Sequence, residues 1–237
     1  MSKKSVLKMS ALAVAFAAAA APITAAAEVT GSLGISNFYL WRGQDLSNGG
    51  GVVSGSVDYA HESGAYAGIW TSSETGFGGG NGGEYDVYLG FAGEAGGLSY
   101  DLSYVSYIYP GIDQALGEQG ELILGLGMGD FGLTYYTSVY KFNGTDLEVG
   151  DDSYLTLSYA YDKFSFLVGT WMLDTADRDY THLDISYSPI ENLTFTASKI
   201  VTGDDGSANS LVSGLFPATA SADEQDILFN VGYAFSF

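Results

Sequence analysis

Cysteine is absent from the 237 residues, proline occurs only four times, and eight Lys and Arg stand against 28 Asp and Glu. Without cysteine there is neither a disulfide nor a thiolate metal site, which fits export through an oxidising compartment. Three of the lysines, Lys3, Lys4 and Lys8, crowd the first residues, ahead of an apolar run from Ala11 to Ile23 and the small-residue stretch Ala25-Ala26-Ala27. A positive start, a short apolar run and an A-x-A end predict a secretory signal peptide over residues 1–27, cleaved after Ala27. An uncleaved amphipathic anchor is the alternative. No later stretch approaches the ~20 consecutive apolar residues that a membrane helix needs. If the chain crosses a membrane, it crosses as strands.

Removal of the signal leaves five basic residues, Arg42, Lys141, Lys163, Arg178 and Lys199, and a formal charge of about −23. That balance excludes nucleic acid as a partner. Acidity of this order can also mean disorder, but 18 Tyr, 13 Phe and 3 Trp are too many aromatics for an unfolded chain. Residues 28–237 are expected to form one domain.

What is abundant is alternation. Ile227 to Phe237 reads ILFNVGYAFSF, apolar or aromatic at every second position. A period of two is a strand with one greasy face, and a strand with nothing to cover its edge has to pair within a closed barrel. Twelve strand candidates fall near residues 29–42, 51–60, 65–73, 84–92, 98–109, 121–128, 131–140, 152–161, 164–173, 180–187, 192–201 and 225–237, none with an internal proline. The clearest outward faces are Leu33/Ile35/Tyr39/Trp41, Tyr85/Val87/Leu89/Phe91, Leu122/Leu124/Leu126/Met128 and Leu155/Leu157/Tyr159/Tyr161. Connections alternate between short turns (61–64, 93–97, 129–130, 162–163, 188–191) and long loops (43–50, 74–83, 110–120, 141–151, 174–179, 202–224). The predicted fold class is therefore all-β, a transmembrane antiparallel up-and-down β-barrel of about 12 strands with short periplasmic turns and long extracellular loops. A secreted β-sandwich is the soluble alternative.

Aromatics follow the same geometry. Tyr59, Phe91, Tyr100, Phe131, Tyr161, Phe164, Tyr187 and Phe235 fall at the short-turn ends, and Trp41, Trp70, Tyr104 and Tyr140 toward the other, as girdles at two interfaces would. The parity that turns apolar residues outward sends Asp58, Glu84, Asp86, Asp101, Glu121, Asp152, Asp184 and Asp226 inward, with Arg42 the one basic residue among them. Lys199 takes the outward parity near the outer rim, where it can snorkel. These inward residues are the pore-lining candidates. Water and solute passing such a lumen would favour cations, whereas carboxyl groups bonded to one another would fill a plugged interior.

Other chemistry is thinly represented. Asp174/Asp177/Asp179, Glu148/Asp151/Asp152 and Asp204/Asp205 could offer oxygen ligands to calcium, yet none has the spacing of a calcium loop. His182 and Asp184 share a face and could orient a base, but no serine has a nucleophile's context, so no enzymatic activity is expected. His61 falls in a short turn. Gly125, Gly127 and Gly129 imitate a phosphate loop without the helix that would follow one, and no cofactor is expected.

The stretches SNFYLWRGQDLSNGG (36–50), GSVDYAHESGAYAGIWTSS (55–73), EYDVYLGFAGEAGGLSYDLSYVSYIYPG (84–111) and NVGYAFSF (230–237) resemble the TorF family of outer-membrane porins. The resemblance implies that the Tyr-x-x-Arg-Gly segment, here Tyr39, Arg42 and Gly43, opens the barrel, and that Phe237 is the assembly signal read by the barrel-assembly machinery. Expected partners are outer-membrane lipid, lipopolysaccharide, that machinery and small hydrophilic solutes. Two functions compete. One is a porin-like, cation-leaning channel for passive diffusion of small hydrophilic solutes. The other is a non-conducting surface barrel, an adhesin or envelope-stabilising protein, whose acidic loops do the work. In either, the 202–224 loop is long enough to plug the mouth or project from it.

Overall fold

Alternating side chains bury one face of each strand and leave the other bare, and twelve such strands close on themselves. The computed structural model describes residues 27–73, 83–139, 141–142, 145–146, 149, 152–173, 179–203 and 226–237. The wall consists of β1 (Glu28–Ser36), β2 (Val52–Ala60), β3 (Ala65–Ser72), β4 (Glu84–Ala95), β5 (Leu98–Ile108), β6 (Gly120–Met128), β7 (Phe131–Ser138), β8 (Ser153–Tyr161), β9 (Phe164–Met172), β10 (Tyr180–Ile190), β11 (Leu193–Gly203) and β12 (Leu228–Ser236). Each pairs antiparallel with its neighbours in sequence, and β1 pairs with β12 to close the barrel. Closure satisfies every strand edge, which hydrocarbon demands.

The outward face is greasy throughout. Leu33, Ile35, Val57, Ile69, Leu89, Leu102, Leu124, Leu157, Leu183, Phe229 and Tyr233 are all exposed, and a surface of this kind is stable only against lipid tails. All eight aromatics expected at the short-turn end lie on outward positions there, and some pair with one another, Phe164 with Tyr187 at 4.9 Å and Phe91 with Tyr100 at 6.5 Å between ring centres. Lys199 is exposed on the outward face opposite Leu183.

Three expectations need correction. The first strand does not run to residue 42: it ends at Ser36, where the Asn37 side chain bonds the backbone of Phe229 and Val231 and takes the chain off the wall. Tyr39 and Trp41 are therefore not lipid-facing, and Tyr39 is buried. The Tyr-x-x-Arg-Gly segment follows the opening strand instead of forming it. Trp70 likewise points inward, 6.0 Å from Tyr39, because its parity is that of Tyr66 and of Asp86 across the ladder. The outer girdle loses both tryptophans, keeps Tyr104, and Tyr140 lies outside the described residues. Finally, β10 continues to Ile190 and takes in Pro189, tolerated because the ladder slips between Tyr187 and Ile190.

Residues 1–26, the 204–224 stretch of the long loop and most members of the acidic loop clusters lie outside the described residues. A 3₁₀ turn, Pro110–Ile112, interrupts the connection after β5.

Candidate functional site

The chain between β1 and β2 decides what the lumen contains. Leu40–Trp41 pairs with Gln44–Asp45 around a two-residue turn in which Arg42 (φ 47°) and Gly43 (φ 82°) both adopt left-handed backbone. Such turns favour Asn-Gly, and an arginine at the first position is strained. This hairpin folds into the barrel. Phe38, Tyr39, Arg42, Gln44, Leu46 and Ser47 are all buried. A Cβ on Gly43 would stand 2.7 Å from Cβ and 2.8 Å from Cγ of His182, so the turn abuts the far wall. Gln44 donates to the Tyr180 hydroxyl (2.7 Å), which donates to the Arg42 carbonyl (2.9 Å), while Asn230 donates to the Phe38 carbonyl (2.8 Å).

Arg42 makes the central contact. Its Nη1 and Nη2 bond Oε1 and Oε2 of Glu121 on β6 at 3.0 and 2.6 Å, a bidentate fork. The guanidinium carbon lies 4.6, 4.8, 4.4 and 4.3 Å from the ring centres of Trp41, Tyr136, Tyr154 and Trp171. Burial alone would lower the pKa of Arg42, but the Glu121 carboxylate outweighs that and raises it, so the charge is permanent. Tyr107 adds a 2.7 Å bond to Glu121 Oε2.

Beside this pair sits a second acidic group. Glu84 accepts from the Tyr109 hydroxyl at 2.6 Å and stands beside Tyr39. Burial first, and the neighbouring carboxylates second, hold both phenols well above their ordinary pKa, which keeps them donors. Asp86 is as buried as Glu84, at 2 % exposure, and its Oδ1 has no hydrogen-bond partner among the described residues.

Toward the short-turn end the lumen is looser. Asp58, Asp101 and Asp184 are half-buried. Tyr88 reaches across β3 over Gly68 to Asp58, and Tyr66 reaches across β4 over Gly90 to both oxygens of Asp101, at 3.0 and 2.8 Å. Each tyrosine lies flat against the wall because the residue opposite has no side chain. Asp184 accepts from Ser198 (2.5 Å) and bonds His182 Nδ1 (3.0 Å). His182 is 1 % exposed, and its Nε2 meets the Tyr154 hydroxyl at 2.7 Å. Ser198 therefore serves the carboxylate and does not face Nε2, so the nucleophile-base geometry of a hydrolase is not what this network forms. The His61 ring, in its turn, bonds the Ser63 hydroxyl and backbone N–H.

The nine inward candidates thus separate. Arg42, Glu84, Asp86 and Glu121 converge in the long-loop half. Asp58, Asp101 and Asp184 lie in the other half, each tied to a different neighbour. Asp152 and Asp226 precede β8 and β12 at the rim, and Asp226 is exposed. Among the described residues no three His, Asp or Glu converge as a metal site. Phe237 exchanges two 2.9 Å backbone bonds with Gly31, over which its ring lies. The aromatic box around Arg42 was missed in the sequence because Tyr136, Tyr154 and Trp171 look like ordinary strand residues; their shared inward parity was the available signal.

No curated protein matches the chain. Among solved structures it is similar to outer membrane phospholipase A from Escherichia coli, with 11 % identity over 86 % of this chain and 91 % of that one and a TM-score of 0.44, too distant to carry that protein's activity across. Residues 17–168 match the model of a family described as "Bacterial protein of unknown function (Gcw_chp)". That match spans more than half of the sequence, and the protein belongs to this bacterial family.

Proposed function

We propose that the protein is an outer-membrane channel for passive diffusion of small hydrophilic solutes, cation-leaning, and narrowed at its long-loop end by its own first hairpin. The reading rests on one observation: the strand carboxylates share the inward parity, with Arg42 the one basic side chain inside among the described residues. A lumen of that sign attracts cations and repels anions. The resemblance to the TorF porins supports it as well. In this reading residues 1–27 are removed on export, the short turns face the periplasm, the long loops meet lipopolysaccharide, and Phe237 is read by the barrel-assembly machinery during insertion.

Planar-bilayer recording of the purified barrel tests the proposal. Cations should pass in preference to anions. Asp101→Asn and Asp58→Asn, in the half-exposed region, should reduce that preference more than Asp86→Asn. Anion preference, or selectivity untouched by all three, would overturn it.

A second reading, a non-conducting surface barrel acting as an adhesin or envelope-stabilising protein, is favoured by how fully the hairpin fills the long-loop half. Replacing Leu40–Asp45 with a short Gly-Ser link separates the two. A several-fold rise in conductance supports the channel, and silence in both forms supports the surface barrel.

A further inference from the structure

Arg42 occupies a site that the wall has built without it. Glu121 comes from β6, Tyr136 from β7, Tyr154 from β8 and Trp171 from β9, four neighbouring strands, so these groups stay in place when the hairpin is elsewhere. The carboxylate is fixed by Tyr107 and the Tyr154 ring by His182. Together they present what a planar guanidinium binds best: two parallel acceptors along one edge and aromatic rings around the delocalised charge, in a dry setting where both interactions are stronger than in water. Trp171 Nε1 is buried there with no hydrogen-bond partner among the described residues, a donor left over for an acceptor on a larger ligand. The occupant, by contrast, is held at a cost, since Arg42 sits in left-handed backbone.

We propose that Glu121, Tyr136, Tyr154 and Trp171 form a recognition site for solutes bearing a guanidinium group, and that Arg42 is a tethered occupant which such a solute displaces. Displacement frees the turn and withdraws Trp41, the one ring of the box that belongs to the hairpin. A primary ammonium competes less well, because it offers a point charge where the site offers a fork. The binding site stands by itself; passage of the solute onward rests on the channel reading.

The probe is methylguanidinium at millimolar concentration, with methylammonium at the same ionic strength as control. In Arg42→Ala the emptied box should bind methylguanidinium saturably and raise the unfolding midpoint of the detergent-solubilised barrel. Methylammonium should do so at least tenfold less effectively, and adding Glu121→Gln should abolish the response. An Arg42→Ala barrel that folds but shows no response, or the same response to both cations, would overturn the proposal. Should that variant fail to fold, the native protein gives the answer: methylguanidinium should change its tryptophan emission saturably and Glu121→Gln should not respond, whereas a linear or cation-independent change sinks the site. Binding by a barrel that carries no bilayer current upholds the site and removes the channel reading. Current without binding removes the site alone.

Discussion

Glu84, Asp86 and Glu121 at the long-loop end are at most 5 % exposed, while Asp58, Asp101 and Asp184, on the same inward parity of the same wall, remain half-open to the lumen. Strand alternation accounts for the direction of all six and for none of the difference. What separates them is chain from outside the wall: the hairpin at 40–45 brings a guanidinium and a set of apolar side chains to one half only. In the other half the wall satisfies its own acids, Asp58 and Asp101 through tyrosines laid over glycines and Asp184 through Ser198 and His182. The interior of a barrel is therefore set as much by its first loop as by its strands.

The sharpest way to break this contrast is to remove one partner of the buried ion pair. Glu121→Gln leaves Arg42 buried without its counter-charge, and unfolding in urea should show a loss of about 3 kcal/mol. Asp184→Asn, in the looser half, should cost about 1 kcal/mol, in line with a single hydrogen bond. Equal losses would mean that the halves are not energetically distinct.

Gly43→Ala probes the close approach of the hairpin to His182. It meets both left-handed backbone and an occupied volume, so its cost should be about 2 kcal/mol by the same assay. Gly49→Ala shares the positive φ (76°) but projects into open space, and about 1 kcal/mol is expected there. In the short-turn half, Gly68→Ala should push Tyr88 off Asp58 and cost about 1 kcal/mol or more, whereas Gly125→Ala, whose new atom would lie 3.6 Å from Asp101 Cβ, should be close to neutral.

The smallest effect concerns pH. Tyr39 and Tyr109 ionise less readily in the folded barrel than in the unfolded chain, whose phenols titrate near 10.0. Their stabilisation is fully present below that value and lost as pH rises above it. Heat-dependent gel mobility should hold from neutrality to about pH 10 and weaken beyond, with Tyr39→Phe shallower than the native protein.

Much of the wall was legible because its physics is local. Leu122/Leu124/Leu126/Met128 and the terminal Ile227-to-Phe237 segment read as half-greasy strands, and they are. The sidedness of the carboxylates followed from parity alone. The hairpin was not legible for a specific reason: Tyr39 and Trp41 prolong the alternation of Leu33 and Ile35, so the pattern runs through the break that the Asn37 side chain makes with a strand some 190 residues away. Arg42 and Glu121 are 79 positions apart, and no local pattern announces such a partner. Trp70 could have been read correctly, since Ile69 beside it claims the lipid face.

The mutual bonds between Gly31 and Phe237 have a temporal meaning. The opening strand can seal one flank early, against β2, but its other flank must wait for β12 to be synthesised and delivered. Until then the nascent sheet carries two raw margins, ready to pair with any passing strand, and loop-closure entropy makes that last zipper the slow step. A polypeptide clipped by one strand would keep nearly every other contact and still lack a seam.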